Sequence, residues 1–491
     1  MDVRSRIKEN LPLLISIFAV ALGIAAKLTL TRDELLPGLD GAFYWVQVRS
    51  IIENQSLAFT DLPLVFWVQA AISKIVGDIP LAVRISDALL PALSAIPIYF
   101  ITRKFKNAFL PAVAILVVLL HPIQLYFFTG DFIKNEAAIP LVFFIVLVLM
   151  NWETQSRRVS ALYLASLLLL VMLSHFGTAL LAFMLIGIWA LLQLRKSKKS
   201  SWIKASVLFV VILASFLASL AIIVPNRYER LIEFITTPGT IFQRPILDGI
   251  LNGYANSIIA FTIVASQSFV IILGIITWRY RGKIAFSQMS LILSSLITTF
   301  LLSSPFMSME WADRLTALSF VPLVTAAILI FGNTQGLIGK APTSIFAAII
   351  LISAIFFSSY PMKQVFSDEK YSDFKELAQQ VDLPENSVIV ARHGVEYLSA
   401  WHFETDVVLD SYFEAADLTS YSAVFLLLEN PTSDKEGPGL KPPAKPNGEK
   451  PKPPINAGGK PSNNVGKEIN PALLGGENVF GNDSFTLVKI R

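Results

Sequence analysis

The sequence predicts a polytopic α-helical membrane protein with a small α/β domain at its C-terminal end. Of its 491 residues, 54% are hydrophobic and only 15% are charged, whereas soluble domains carry about 25% charged residues. Eleven apolar runs each approach the roughly 20 residues that cross the hydrocarbon core of a bilayer. After the last run the composition becomes polar. The chain has no cysteine, which excludes disulfides, thiolate metal sites and a cysteine nucleophile.

The eleven predicted spans are distributed over the first 360 residues. A further apolar segment, 62–77, is expected to lie in the interface, because Gln69 and Lys74 interrupt it. The predicted spans are 11–31, 82–102, 108–127, 133–151, 159–174, 177–194, 205–225, 255–277, 284–303, 312–331 and 342–359.

The distribution of Lys and Arg between the connections predicts the orientation. If the N-terminus is cytoplasmic, the inner connections carry 17 of these residues and the outer ones carry 6. Cytoplasmic loops are the basic ones in membrane proteins. We therefore expect a multi-pass protein of the cell membrane, with a cytoplasmic N-terminus and an extracytoplasmic segment after residue 360.

The predicted domains are a membrane domain, 1–360, with long outer loops at 32–80 and 226–254, and an extracytoplasmic α/β domain, 361–491. Within the second domain, periodicity predicts helices at 367–382 and 395–401 and strands at 387–390, 406–409 and 423–428. Residues 485–490 alternate like an edge strand and are expected to join the same sheet. Residues 431–475 are rich in Pro, Gly, Lys and Asn, contain no aromatic residue and are predicted to be a disordered insertion.

Charged and polar residues at the ends of the predicted spans gather on the outer side. Ionisable residues are costly in a membrane and usually mark function. Because they sort to one side, we expect a single external polar site. Its members are Asp40, Arg84, Asp87, Asp131, Lys134, Asn135, Glu136, His175, Glu310, Asp313 and Arg314.

Six of these residues also have a structural interpretation. Asp40 and Asp131 could cap the helices that follow them, and Arg84 could pair with Asp87 within one helix. His175 could bond a neighbouring helix end, and Arg314 could extend to the interface. The aromatic residues Trp45, Trp67 and Trp311 could belong to an interfacial belt.

Three stretches resemble the GT-C class of membrane glycosyltransferases, and the protein mannosyltransferase and aminoarabinose transferase branch in particular. The first is Asp-Gly-Ala-Phe-Tyr-Trp at 40–45, followed by Arg49 and by Leu-Pro-Leu-Val-Phe-Trp at 62–67. The second, Gly-Asp-Phe-Ile-Lys-Asn-Glu-Ala-Ala at 130–138, resembles the second acidic motif of that superfamily. The third, Ala-Asp-Arg-Leu-Thr at 312–316, resembles the late-helix arginine that meets the lipid phosphate. The resemblance covers roughly residues 10–360.

The resemblance implies a GT-C fold and transfer of a sugar from a polyprenyl-phosphate donor to a lipid, glycan or protein acceptor at the outer face, with inversion at the anomeric carbon. Asp40 would be the general base for the acceptor hydroxyl, and Arg314 with Lys134 would meet the departing phosphate. The full set expected to bind substrate is Tyr44, Arg49, Arg84, Asp131, Lys134, Glu136, His175 and Arg314.

The chain also departs from the family pattern. Lys134 occupies the position where oligosaccharyltransferases have a metal-binding Asp, and the Trp-Trp-Asp signature of those enzymes is absent from the C-terminal domain. Both departures argue against oligosaccharide transfer to asparagine. We therefore expect no metal and no other cofactor, with a divalent cation such as Mg²⁺ or Mn²⁺ as the alternative.

Two other function classes compete with the transferase. A transporter or flippase for an anionic lipid or a polyprenyl-linked sugar would also need charges in the membrane. It predicts internal repeats, but the sequence shows no repeat and its charged residues lie at one face. A receptor that binds through its outer domain would leave Asp40, Lys134 and Arg314 unexplained. The expected partners are the lipid-linked donor, the acceptor and membrane lipids. The net charge of +4 is too dispersed to predict nucleic-acid binding.

Overall fold

The computed structural model divides the chain into two compact units. It describes residues 3–30, 35–105, 107, 109–130, 132–194, 242–253, 257–338, 366–413, 416–430 and 476–491, with scattered residues between 210 and 239. The first unit, here the membrane unit, comprises Met1–Arg32, Thr60–Ile75 and Ala82–Met362. The second, here the C-terminal unit, comprises Asp33–Phe59, Val76–Leu81 and Lys363–Arg491.

The described part of the membrane unit is helical. Its helices follow the predicted spans closely, and the connections between them are mostly short. They are α1 (Val3–Leu30), α3 (Leu64–Val76), α4 (Ile79–Ala92), α5 (Ala95–Thr102), α6 (Leu110–Leu119), α7 (Pro122–Thr129), α8 (Ile133–Met150), α9 (Arg157–Ser174), α10 (Phe176–Leu194), α11 (Ile246–Leu251), α12 (Ser257–Tyr280), α13 (Phe286–Leu302), α14 (Met309–Leu318) and α15 (Phe320–Ile338).

Seven of the described segments are long and apolar enough to cross a membrane: Asn10–Thr29, Ile79–Thr102, Ile133–Met150, Arg157–Ser174, Phe176–Gln193, Ser257–Lys283 and Arg314–Thr334. Each matches a predicted span. Predicted spans 108–127 and 284–303 correspond to shorter apolar helices. The prediction at 342–359 lies outside the described residues, and most of 205–225 does too, so the count of eleven stays a prediction.

Helix packing in the membrane unit relies on small and hydroxylated residues. Within α13, Ser290, Ser294, Ser295, Thr298 and Thr299 are all buried. Such side chains let helix backbones approach closely in a membrane. Ser294 bonds outside its own helix, donating its hydroxyl to the Leu185 carbonyl of α10 at 2.6 Å.

The C-terminal unit is built on a five-stranded mixed sheet. Its strands are β1 (Ser387–Ala391), β2 (Asp406–Leu409), β3 (Ala423–Glu429), β4 (Glu477–Gly481) and β5 (Phe485–Lys489), in the order β2-β1-β3-β5-β4. β1 pairs in parallel with β2 and β3, and β5 pairs antiparallel with β3 and β4. β1 is buried along its whole length, as expected of a central parallel strand.

Three helices complete this unit: α2 (Gly41–Asn54), α16 (Asp368–Gln380) and α17 (Val395–His402). Ser367 caps α16, and its hydroxyl accepts from the Lys370 backbone N–H. Helices α16 and α17 confirm the predicted segments 367–382 and 395–401. The predicted insertion, 431–475, lies outside the described residues.

Two sequence-based expectations need correction. Residues 485–490 were expected to form an edge strand, whereas β5 lies between β3 and β4, and β4 forms the edge. The alternating pattern shows that one face of β5 is less buried, but it does not distinguish an edge from an interior position. The loop 32–80 was assigned to the membrane domain, whereas Asp33–Phe59 groups with the C-terminal unit, because α2 packs against α17.

Candidate active site

Asp40 directly precedes α2, at the position of a helix N-cap. Its side chain makes no capping hydrogen bond, and its backbone has φ −94° and ψ 3°, which is not the extended conformation of a typical N-cap. The side chain is 38% exposed. The carboxylate is therefore not used to begin the helix.

The Asp40 carboxylate lies beside a histidine of the C-terminal unit. Nε2 of His393 is 3.8 Å from Oδ1 of Asp40, and Nδ1 of the same ring is 2.8 Å from Oε1 of Glu396. The hydrogen bond to Glu396 raises the pKa of His393, Asp40 adds to the increase, and burial opposes it. Burial raises the pKa of Glu396, while His393 opposes that rise. Asp40, His393 and Glu396 are called the acid–histidine group below.

A glycine makes this approach possible. The loop that follows β1 contains Arg392, His393 and Gly394, and Gly394 has φ +95°, a conformation that other residues rarely adopt. A Cβ atom at Gly394 would lie only 2.6 Å from Cδ2 of Leu39. The loop therefore contacts the residue before Asp40, and a side chain at 394 would be strained by this φ and would displace the end of the Leu39 side chain.

Arg49 fixes the other end of α2 against α17. Its guanidinium donates to the carbonyl oxygens of Ala400 at 2.6 Å and Trp401 at 2.8 Å. It also lies 4.8 Å from the centre of the Trp401 ring and 3.1 Å from Glu404. The last carbonyls of a helix lack partners within the helix and attract cations. Arg49, predicted to bind substrate, is therefore used in large part to hold α2 on α17.

Aromatic residues fill the space between α2 and α17. Trp45 is fully buried, 5.6 Å from Trp401, so it is not a lipid-facing belt residue. Phe43 contacts Tyr397 at 5.0 Å between ring centres. Tyr44, another predicted substrate contact, is also buried, with its ring edge against Phe43.

Lys134 forms an ion pair with Asp61 in the membrane unit. Its ammonium group also lies 5.5 Å from the centre of the Phe66 ring. The second oxygen of Asp61 accepts from the Leu62 N–H at 2.7 Å. The predicted phosphate-binding lysine thus already has an anionic partner, and a phosphate would have to share or replace it.

Glu136 lies in a buried group with Lys27 and Asp87. Lys27 forms an ion pair with Glu136, and the Asp87 carboxyl group lies close to both. All three side chains are almost completely buried. These three residues are called the buried acid–lysine group below. They connect α1, α4 and α8, so Glu136, predicted to bind substrate, has a structural role here.

The other predicted residues have varied surroundings. Nδ1 of His175 accepts from the Thr178 N–H at 3.2 Å, so His175 caps the start of α10, as the structural interpretation proposed. Arg314 is exposed on α14, and Arg84 is half-buried on α4. Asp131 lies outside the described residues. Among the residues that are described, no group of three or more His, Asp or Glu side chains has the geometry to hold a metal ion.

The sequence analysis missed His393, Glu396 and Lys27. His393 follows the carboxyl end of the predicted parallel strand β1, and ligands of open α/β sheets bind outside such ends. The place of His393 directly after this strand could therefore have marked it as a candidate site residue. Lys27 lies inside the first predicted span, and an ionisable residue inside a span is itself a signal.

Known structures share this fold. Archaeal oligosaccharyltransferase AglB from Archaeoglobus fulgidus, in complex with an inhibitory peptide and a dolichol-phosphate, matches at 12% identity and TM-score 0.50, covering 86% of this chain and 70% of that chain. ArnT from Cupriavidus metallidurans, bound to undecaprenyl phosphate, matches at 10% identity and TM-score 0.56, covering 97% of this chain and 98% of that chain. No curated protein sequence matches significantly.

These similarities over most of the chain define the fold class: it is the fold of the GT-C glycosyltransferases, as the sequence resemblance implied. A family model described as "6-pyruvoyl-tetrahydropterin synthase related domain; membrane protein" matches residues 62–366, more than half of the chain. The chain therefore belongs to this family of membrane proteins. The family description does not itself assign an activity to the chain.

Proposed function

We propose that the protein is a membrane glycosyltransferase that moves a sugar from a polyprenyl-phosphate donor to an acceptor hydroxyl at the outer membrane face, with inversion and with Asp40 as the general base. One observation carries the proposal. Asp40 occupies the N-cap position of α2 yet makes no capping hydrogen bond, and its side chain is 38% exposed. A carboxylate in that state can accept a proton.

The fold supports the choice of donor. AglB and ArnT, which share the fold, were solved with dolichol-phosphate and undecaprenyl phosphate respectively. Both ligands are polyprenyl monophosphates in the broad sense, so a lipid phosphate is the donor chemistry proposed for this chain.

The leaving phosphate needs positive charge. Arg314 is exposed on α14 and is proposed to meet the phosphate, because guanidinium binds phosphate oxygens in bidentate fashion. Lys134 is the second proposed cation. Since Lys134 is paired with Asp61, we expect it to contribute after exchanging part of that contact for the phosphate.

The transfer would proceed in one displacement. The acceptor oxygen attacks the anomeric carbon while Asp40 takes the hydroxyl proton, and the lipid phosphate leaves with the electrons of the broken bond. The carboxylate, the acceptor oxygen and the anomeric carbon must be aligned, so alignment and proton transfer both lower the barrier.

Asp40→Asn is the test. Asn has nearly the same size but is a poor proton acceptor, so turnover should fall by roughly 10²–10⁴-fold, with donor binding nearly unchanged. The assay uses purified full-length protein, a polyprenyl-phosphate sugar and cell-envelope acceptor, and measures released polyprenyl phosphate. Asp417→Asn, an exposed aspartate of the C-terminal unit, is the matched control. Turnover near wild type in Asp40→Asn would remove Asp40 from the mechanism.

One observation favours the transporter alternative. The buried acid–lysine group places two carboxyl groups and an ammonium group between helices of the membrane unit, and transporters use such groups in ion coupling. Reconstituted vesicles distinguish the functions. Movement of a fluorescent polyprenyl-linked sugar across the membrane, without release of lipid phosphate, would favour transport over transfer.

A further inference from the structure

We propose that Asp40 passes its proton on to His393: Glu396 is a positioning residue that orients the His393 imidazole, and the neutral imidazole receives the proton that Asp40 takes from the acceptor. This inference rests on the proposed function for the identity of the reaction. The arrangement of the three side chains can be tested without it.

The geometry fixes which ring nitrogen faces which acid. Nδ1 of His393 lies 2.8 Å from Oε1 of Glu396, so Nδ1–H donates to Glu396 and Nε2 is left with a lone pair. Nε2 is the atom that lies 3.8 Å from Asp40. That separation exceeds a hydrogen bond, and it suits an ion pair once Nε2 is protonated. Catalytic hydrogen bonds are often long before substrate binds.

Glu396 and His393 differ in burial, and this difference suits them to different roles. The side chain of Glu396 is only 5% exposed, whereas His393 is 54% exposed. A buried carboxylate with a single imidazole partner orients that ring strongly, because the ring relieves the cost of burying the charge. The exposed imidazole can exchange protons with water. Glu396 is thus suited to orientation and His393 to proton transfer.

Three charged groups surround His393. Asp40 approaches from the start of α2, Glu396 from the first turn of α17, and Arg392 from the end of β1. The two acids favour the imidazolium, and Arg392 opposes it. Tyr397 adds a neutral ring edge at 6.0 Å.

The proton balance is simple. The acceptor O–H bond breaks, and its proton moves to Asp40 as the new bond to the anomeric carbon forms and the bond to phosphate breaks. The protonated Asp40 then donates to Nε2 of His393, which gives an imidazolium paired with Glu396. The imidazolium releases the proton to water, and Asp40 is a carboxylate again for the next turnover.

This sequence predicts a pH dependence. His393 can receive a proton only while Nε2 is unprotonated, so turnover should rise as pH increases through the pKa of His393, which its hydrogen bond to Glu396 raises. Glu396→Gln removes the carboxylate that stabilises the imidazolium. The midpoint of the rise should therefore move to lower pH. His393→Gln should abolish this limb and lower the plateau turnover by up to roughly 10²-fold, the cost of a misplaced reacting group.

The first experiment measures the histidine directly. The chain has 4 His, so NMR of histidine-labelled full-length protein in nanodiscs can follow each ring, and His393→Gln identifies the signal of interest. Asp40→Asn and Glu396→Gln should both shift the His393 midpoint to lower pH, the second more than the first. His402→Gln, at the end of α17 and bonded to Tyr371 at 3.3 Å, is the matched control and should leave the His393 midpoint unchanged.

The second experiment measures the pH profile of transfer in the same variants. An unshifted His393 midpoint in Asp40→Asn would overturn the inference, as would a wild-type pH profile in His393→Gln. The proposed function fails differently, by an absence of sugar transfer in wild type. In that case the NMR shifts would still establish or refute the coupling of His393 to Asp40.

Discussion

The acid–histidine group and the buried acid–lysine group contain the same chemistry in opposite surroundings. Each has two carboxyl groups and one basic group. Lys27, Asp87 and Glu136 are almost completely buried, while Asp40 and His393 are both more than one-third exposed. Exposure to substrate and water, and not the presence of charge, therefore separates the group that we propose to react from the one that is structural.

The buried group keeps its charges together inside the membrane unit. Lys27 forms an ion pair with Glu136, and the Asp87 carboxyl group lies close to both. Charges of this kind connect the helices that bear them, and removal of one partner leaves the others uncompensated.

Lys27→Met should therefore have the largest effect on stability. Methionine keeps much of the length of lysine but leaves a buried carboxylate without its cation, which costs about 3–5 kcal/mol in buried pairs. Thermal unfolding in a single detergent, compared with wild type, measures the loss. By contrast, Asp40→Asn should leave unfolding nearly unchanged, because Asp40 is partly exposed and caps no helix.

A triple variant serves as the control. In Lys27→Met with Asp87→Asn and Glu136→Gln no ionisable side chain of the group remains, so much of the lost stability should return, since replacing all members of a buried ionic group is often nearly neutral. A single variant as stable as wild type would mean that the group is not a structural crosslink. The contrast between a structural buried group and an exposed acid–histidine group would then be wrong.

Arg49→Ala should have the next largest effect, confined to the C-terminal unit. Arg49 donates two charged hydrogen bonds to the end of α17, and hydrogen bonds to charged groups contribute about 1.5–3 kcal/mol each, not fully additive. We expect destabilisation of about 2–3 kcal/mol. Cleavage of the C-terminal unit by a dilute protease under native conditions reports local opening.

Arg49→Lys separates this role from substrate binding. Lysine keeps the charge but lacks the planar fork that reaches two carbonyls at once, so stability should be intermediate. If Arg49 instead binds substrate, as the sequence resemblance implied, both variants would raise KM for the donor or acceptor without increasing protease sensitivity.

Much of the fold was accessible from the sequence because its signals are local. Apolar runs near membrane length identify helices such as α8 and α12, and the apolar runs within Ser387–Ala391 and Ala423–Glu429 identify strands. Asp40 stood out because an acid beside glycine and aromatics is costly at a membrane edge. These features depend on composition and period alone.

The rest depends on contacts between distant segments. Asp40 and His393 are separated by more than 350 positions, and no local pattern links them. Arg49 resembles a substrate-binding arginine until Ala400 and Trp401 are seen to accept its hydrogen bonds. Glu136 likewise resembles an exposed site residue until Lys27 is placed beside it. Residue type can nominate such groups, but only tertiary structure assigns their partners.

Glu404→Gln should have the smallest effect. It separates the ion pair of Arg49 from the hydrogen bonds that Arg49 donates to the end of α17. Glu404 pairs with Arg49 at 3.1 Å, yet its side chain is 76% exposed while that of Arg49 is 15% exposed. Water and salt screen such a pair, so its loss should cost about 0–1 kcal/mol. The carbonyl contacts of Arg49 would remain, and α2 should stay on α17. Unfolding and protease sensitivity measured beside Arg49→Ala test this. A loss as large as that of Arg49→Ala would show that the ion pair, and not the bonds to the helix end, attaches α2 and so supports the approach of Asp40 to His393.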